Sequence, residues 1–309
     1  MKYFAKESPA IRNNSCICRV TTERAIMLKD EHIRIMPEGQ VYIEYGPTAM
    51  LVAAYNEEGK PLTALCRNAF KVLQTGLEQI AEALPLLRRR PDAVTESQLQ
   101  GLPLAMCRAV RLTGEPTLTP MAAVAGSLAD TVADWLADQG AAVAVANNGG
   151  DVALRLAPGQ SLRLRTVIDL HTGETSQPAL IQAGAGIGGI CTSGLGGRSF
   201  TRGIAESVTV FAARANVADA LATHLANCSF IDSPRVASTL AVNLDPQTDI
   251  PELEVVTATD ILPEEELHSA ITQVLEEAGR QYSAGLLIRM EGSIQGRRFA
   301  FPGNAVHEP

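Results

Sequence analysis

The spacing of hydrophobic positions changes several times along the chain. From Cys16 to Tyr55 they fall in short runs, CICRVTT, HIRIMP, QVYIEYG and AMLVAAY. Turn formers separate the runs: Pro37-Glu38-Gly39, Gly46-Pro47 and the stretch from Asn56 to Pro61. This predicts a meander-like antiparallel sheet. From Pro61 to about Arg88 the spacing becomes three and four, through Leu65, Ala69, Val72, Leu73, Leu77, Ile80 and Leu84. That is an amphipathic helix, and Arg88-Arg89-Arg90 suits the negative end of its dipole. A shorter helix is expected over 103–112. Thr119-Pro120 then supplies an N-cap and a first helical residue for MAAVAGSLADTVADWLADQG, which stops at Gly140. Ala122, Ala123, Ala125, Gly126 and Ala129 leave room on this helix for a very close neighbour.

The stretch Ala141–Leu156, AAVAVANNGGDVALRL, reads as strand, tight turn, strand. Asn and Gly tolerate the positive φ that a two-residue hairpin turn requires. The two glycines also allow a ligand to approach the backbone. SLRLRTVIDL follows, then a turn containing His171, then the glycine-rich QAGAGIGGICTSGLGGRS. This segment contains a GxGxxG match from Gly184 to Gly189, but no helix start follows in frame, so a dinucleotide-binding Rossmann unit is rejected. A strand over Glu206–Ala213 leads into the helix NVADALATHLANCSF. Over residues 231–309 the character changes: Pro246, Pro251 and Pro263 punctuate the chain. Glu264-Glu265-Glu266 opens a helix running to about Tyr282, and GLLIRMEG and GRRFAFPG read as two last strands. The expected division is a main domain over 1–240 and a small C-terminal helix-and-strand extension over 241–309.

Charge and composition narrow the function. The 309 residues carry a formal net charge of −8, against a nucleic-acid partner. Hydrophobic residues make up 46% and aromatics 4%, so the expected core is built from small side chains. No apolar run reaches the length of a membrane span, and MKYFAKESPAIRNNSC has no apolar signal core. A cytoplasmic protein is expected, with free thiols at the scattered Cys16, Cys18, Cys66, Cys107, Cys191 and Cys228. A homo-oligomer is compatible with this composition.

The candidate chemistry lies in three separated stretches. Asp219 and Thr223 are four residues apart on a predicted helix, a carboxylate and a hydroxyl on one face. Hard oxygens of this kind suit Mg²⁺ or Ca²⁺. The same spacing fits Asp219 as a helix-dipole partner with Thr223 bonded back to a carbonyl. Thr192, Ser193 and Gly194 offer a polar floor for a ligand or a plain turn. Cys191 is a candidate nucleophile or a buried thiol. His224 is a candidate acid or base. Arg198 and Arg202 are candidate partners for a phosphate or carboxylate.

Taken in order, PMAAVAGSLAD, VANNGGDVAL, CTSG and ESVTVFAARANVADALATHLAN resemble the ApbE-like superfamily, the FAD:protein FMN transferases, over roughly 119–228. PMAAVAG and NNGGD are similar to an uncharacterised prokaryotic branch of it. The resemblance implies an α+β, T-fold-like domain with antiparallel sheets flanked by helices. It implies FAD or FMN bound near Asn148, Gly149, Gly150, Asp151, Thr192, Gly194 and Arg198. It also implies Mg²⁺ held by Asp219 and Thr223, with backbone carbonyls at Val124 and Ala222. The activity implied is FMN transfer to a threonine or serine of a flavoprotein acceptor, with Asp219 and Thr223 holding the metal; read from the residues alone, His224 is a further candidate catalytic group, and Ser193 or Cys191 is the candidate nucleophile of a hydrolase. Two features depart from the transferases: Ala125 stands where they carry lysine, and LGGRSFTRGIAE replaces their HxxDPxTG segment. A hydrolase or ring-opening enzyme acting on a small polar heterocycle, and a non-catalytic flavin-binding or assembly protein, are the alternative expectations.

Overall fold

The computed structural model describes residues 16–17, 26–27, 32–166, 175–176, 178–197 and 199–303. In chain order the elements are β1 (Cys16–Ile17), β2 (Ile26–Met27), β3 (Ile33–Ile35), β4 (Val41–Tyr45), β5 (Thr48–Tyr55), α1 (Thr63–Leu87), α2 (Gly101–Thr113) and α3 (Val124–Asp138). There follow β6 (Val143–Asn148), β7 (Asp151–Leu156), β8 (Ser161–Leu164), β9 (Ala179–Gln182), β10 (Gly189–Ser193), β11 (Ser207–Ala212) and α4 (Ala215–Asn227). The chain ends with β12 (Val236–Leu240), α5 (Ala241–Leu244), β13 (Glu254–Thr259), α6 (Glu264–Ser283), β14 (Arg289–Ile294) and β15 (Arg297–Phe301). The class is α+β, with antiparallel sheets flanked by helices.

Ten strands form the main sheet, in the order β15-β14-β11-β10-β7-β6-β5-β4-β3-β2. Neighbouring strands in it run antiparallel. Its central strands are buried on both faces, which explains why they read as unbroken apolar runs. On one face Val52, Ala54, Ala144, Ala146 and Cys191 pack against the helices. On the other, Ala53, Tyr55, Val143, Val145 and Ile190 pack against Leu162 of β8 and Ile181 of β9. β8 and β9 belong to a separate three-stranded sheet, β1-β8-β9.

The strands after residue 240 are not set apart from this sheet. Five residue pairs join β14 to β11, from Ser207–Ser293 to Phe211–Arg289, and β15 closes the edge beside β14. Besides the β1-β8-β9 sheet, the hairpin of β12 and β13 stands outside the main sheet. Its strands are largely exposed, so no alternation of buried positions marks them.

Among the described residues no helix is long and apolar enough to cross a membrane. Cys66, Cys107, Cys191 and Cys228 are free thiols. Burial pushes Cys66 and Cys228 up to about 12, so both stay protonated at neutral pH. The side chains of Cys16 and Cys18, and His171 and Arg198, lie outside the described residues.

Candidate functional site

The turn between β6 and β7 is a two-residue hairpin at Gly149 (φ 69°) and Gly150 (φ 119°). Both angles lie where a side chain is strained, which accounts for the paired glycines. Asn147 secures the turn by accepting from the Gly150 N–H at 2.8 Å. Asn148 is buried, and its amide donates to the Ala125 carbonyl at 3.3 Å. It pairs across the hairpin with Asp151.

β10 runs beside β7 with Gly189 opposite Ala153 and Ile190 opposite Val152. Continuing that register carries Cys191 to Asp151 and Ser193 toward the Gly149 turn. Cys191 is fully buried and its thiol donates to the Ala215 carbonyl at 3.3 Å. Burial, and after it the charges of Asp151 and Asp219, hold this thiol far above its usual range. It is a neutral group, without the thiolate a nucleophile needs. Thr192 faces the opposite side of the sheet, where its hydroxyl meets that of Thr209 at 2.8 Å. Ser193 is buried and, by strand alternation, returns to the Cys191 side. Gly194 lets β10 approach Glu206: a Cβ there would sit 2.4 Å from the Glu206 carbonyl oxygen.

α3 and α4 meet at Gly126, where a Cβ would stand 2.2 Å from the Ala215 carbonyl oxygen and 2.8 Å from Asp219 Cβ. At this contact each helix caps the other. Asp219 of α4 accepts from the Gly126 N–H at 2.8 Å, in the first turn of α3. Asp130 of α3 accepts from the Ala215 and Asn216 N–H groups at 3.1 and 2.9 Å, in the first turn of α4. One N–H in the first turn of α3 and two in the first turn of α4 are thereby satisfied by side chains. Burial and the nearby Asp151 charge raise the Asp219 carboxyl well above its usual range, against the N–H groups of Gly126 and Ala125, which lower it.

Asp130 lies in a network that the sequence reading missed. Arg155 of β7 reaches Asp130 and Asp134 at 2.6 Å each, and Arg214 reaches them at 3.5 and 2.5 Å. Asp134 is partly buried, yet hydrogen bonds from Arg214 and Arg155 keep its carboxyl below the usual range. The available signal was a lone arginine inside the otherwise apolar VALRL run. Asp130 and Asp134, four apart on one helix face, were its counterpart.

The remaining candidates divide between two places. Thr223 lies one turn beyond Asp219 on the same face of α4 and is half-buried. The carbonyls of Val124 and Ala222 lie inside helices, where the i to i+4 ladder uses them. His224 faces away from the hairpin. Its Nε2 lies 3.0 Å from Glu277 of α6, and its Nδ1 lies 3.8 Å from Glu115. Arg202 donates to the Thr117 hydroxyl at 3.0 Å. His224 and Arg202 therefore belong to a polar cluster on the α6 side, and Asp219 to the hairpin side.

Among the described residues no three His, Cys, Asp or Glu side chains converge to hold a metal. The Asp219 and Thr223 oxygens nevertheless suit a hard cation in donor type and spacing, and the Asp151–Asp219 repulsion is one a divalent cation would relieve. Mg²⁺ takes few protein ligands and keeps several waters, so this short donor set fits it. The carbonyls of Val124 and Ala222 each keep a second lone pair beside the helical hydrogen bond.

The model of a family described as AbpE bacteria matches residues 33–297. A UPF0280 protein of Methanothermobacter thermautotrophicus is 34% identical over 149 residues, covering 46% of this chain and 56% of that one. A UPF0280 protein of Methanopyrus kandleri is 36% identical over 149 residues, covering 46% and 57%. The chain thus spans little more than half the length of these curated relatives. Among solved structures, the flavin transferase ApbE from Vibrio cholerae aligns with a TM-score of 0.42 at 14% identity, over 71% of this chain and 97% of that one.

Proposed function

Because the chain belongs to the family described as AbpE bacteria, we propose that it binds a flavin nucleotide, FAD or FMN, where the β6–β7 hairpin, β10 and the start of α4 meet. One observation carries the reading. Asn147–Asp151, Cys191–Ser193 and Asp219 are far apart in sequence, yet contacts tie them together: Asn148 to Ala125, Gly126 to Asp219, and β10 to β7. The same motifs, in the same order, carry the resemblance to the ApbE-like superfamily. The paired glycines let a phosphate come close to the backbone of the turn, and Asn147 and Asn148 fix the turn's shape.

Asp219 and Thr223 would hold Mg²⁺, which when bound supplies Lewis-acid polarisation of a pyrophosphate. Asp151 sets the local charge that makes a cation favourable. The chain's own residues position the ligand but offer little general-base help. Cys191 is a neutral buried thiol, His224 is bonded to Glu277, and Glu206 accepts from Ser293 at 2.7 Å. This favours flavin binding with slow or absent transfer to a protein hydroxyl, the binding or assembly reading. The test is the absorbance and fluorescence of the purified protein titrated with FAD, with and without Mg²⁺. Mg²⁺-dependent quenching of flavin fluorescence is expected. No flavin retained at high micromolar concentration, with or without the cation, sinks the reading.

A further inference from the structure

The guanidinium of Arg155 ties β7 to two neighbours at once. Its Nε donates to Asp134 and its Nη2 to Asp130, both on α3 and both at 2.6 Å. Its Nη1 donates to the carbonyl of Gly188, the residue leading into β10, at 2.9 Å. Asp130 carries the link on to α4, where it accepts from the Ala215 and Asn216 N–H groups. A planar fork makes this possible. A lysine ammonium is a point charge and cannot meet two carboxylates and a carbonyl in fixed directions.

The link stands a similar short step behind the candidate site on each of these elements. On β7, Asp151 lies four residues before Arg155, and the strand period of two puts both on the face that meets α3. On α3, Gly126 lies four residues before Asp130, and on α4, Asp219 lies four residues after Ala215, about one turn in each case. Cys191 lies three residues after Gly188. The side chains of Arg155 and Asp130 are 18% and 4% exposed. For stability alone, well-packed apolar groups of similar volume often serve as well as a buried ion pair. What the ion pairs add is fixed geometry, and the site needs it. The Asp151 charge disfavours an ionised Asp219, so keeping both acids at one site calls for a stiff frame.

We propose that Arg155 is a positioning residue of the candidate cation site: through Asp130 and Gly188 it fixes how β7 and β10 stand against α4, and so how Asp151 stands against Asp219. The inference rests on the reading of the hairpin site as a place for flavin and Mg²⁺. It is tested on the full chain by the Mg²⁺ concentration that half-quenches bound FAD fluorescence, at a temperature where circular dichroism shows every variant folded. Arg155→Gln should raise that concentration about 10–100-fold, the usual effect of losing a group that orients metal ligands. Arg155→Lys keeps the charge but not the fork; it should raise the concentration as well, and it serves if the glutamine variant does not fold. Arg214→Gln is the control. It removes the same charge from the same two aspartates but leaves β7 and Gly188 held. Losing a positive charge should by itself favour a cation, so this variant should need the parental concentration or less. Folded Arg155→Gln or Arg155→Lys protein with the parental Mg²⁺ requirement overturns the positioning role and leaves the flavin reading standing. An equal rise in Arg214→Gln also overturns it, by making both arginines general supports. A parent chain without Mg²⁺-dependent quenching removes the cation site itself, and the role of Arg155 with it.

Discussion

Gly126→Ala tests the α3–α4 junction directly. By helix propensity alone the change should stabilise α3 by at most about 1 kcal/mol. The structure reverses that sign. The new Cβ would lie 2.2 Å from the Ala215 carbonyl oxygen, a backbone atom that cannot swing aside, and 2.8 Å from Asp219 Cβ. Restoring ordinary contact requires the helices to part by about 1 Å. Overpacking of this kind costs about 1–3 kcal/mol. The separation also stretches the 2.8 Å hydrogen bond from the Gly126 N–H to Asp219, and losing a cap costs about 1 kcal/mol. After the propensity gain, the net loss is about 2 kcal/mol, or about 4 °C in melting temperature for a chain of this size. Gly279→Ala is the matched control. It also lies inside a helix, but its Cβ would meet nothing nearer than Phe301 Cζ at 3.7 Å. It should gain about 0.5–1 kcal/mol. Urea denaturation of the two variants should therefore shift the midpoint in opposite directions. A Gly126→Ala protein as stable as the parent would refute the close-contact argument.

The other predictions concern charge and chemistry. Asp219 has a raised pKa, so its ionised form opposes folding as pH rises through that value. Asp219→Asn should therefore leave the melting temperature at pH 7 unchanged or higher while abolishing cation-dependent flavin binding; a lower melting temperature with binding intact would reduce Asp219 to a helix cap. Glu277 behaves in the opposite way. Partial burial pushes its carboxyl up, but hydrogen bonds from Gln281, His224 and Arg280 outweigh that and hold it at about 2. Its stabilisation is present above the unfolded value of about 4.3 and is lost as pH falls toward 2. Acid melting curves should show a shallower loss over that window for Glu277→Gln than for the parent, and parallel curves would count against the assignment. Incubation with FAD, Mg²⁺ and a threonine-containing acceptor peptide should give at most a trace of covalent FMN adduct by mass spectrometry, since a missing general base costs about 10²–10⁴ in rate; rapid stoichiometric adduct would restore the transferase reading.

The parts of this architecture that were legible in the sequence are those with a local cause. The Gly149-Gly150 turn demanded positive φ, and α1 carried a long three-and-four repeat over residues that the structure places in one helix, Thr63–Leu87. Thr119 announced its capping role, and its hydroxyl does accept from the Met121 N–H. What was hidden depends on partners distant in sequence. Asp130 looked like one more polar residue on an amphipathic helix, yet it is 3% exposed and joins the start of α4 to Arg155 and Arg214. Thr192 read as part of one polar floor with Ser193, but strand alternation turns its hydroxyl to the far face. His224 read as a neighbour of Thr223, while the ring's partners come from α6 and from the segment after α2.

The two reciprocal caps sharpen the case for Asp219. Both aspartates meet the first turn of the opposite helix, and both lie at one junction. A carboxylate whose only task is to cap should be compensated, as Asp130 is by two arginines. Asp219 instead faces a second carboxylate, Asp151, and a thiol that cannot ionise. The hairpin brings that second negative charge to it, since Asp151 closes the turn opposite Asn148. Stability alone would favour Asn at either position, where one N–H acceptor could be kept without the repulsion. Keeping two acids together is understandable when a cation is to be shared between them and a phosphate-bearing ligand. The difference in charge between the two caps is the ground for proposing Asp219, and not Asp130, as a cation ligand.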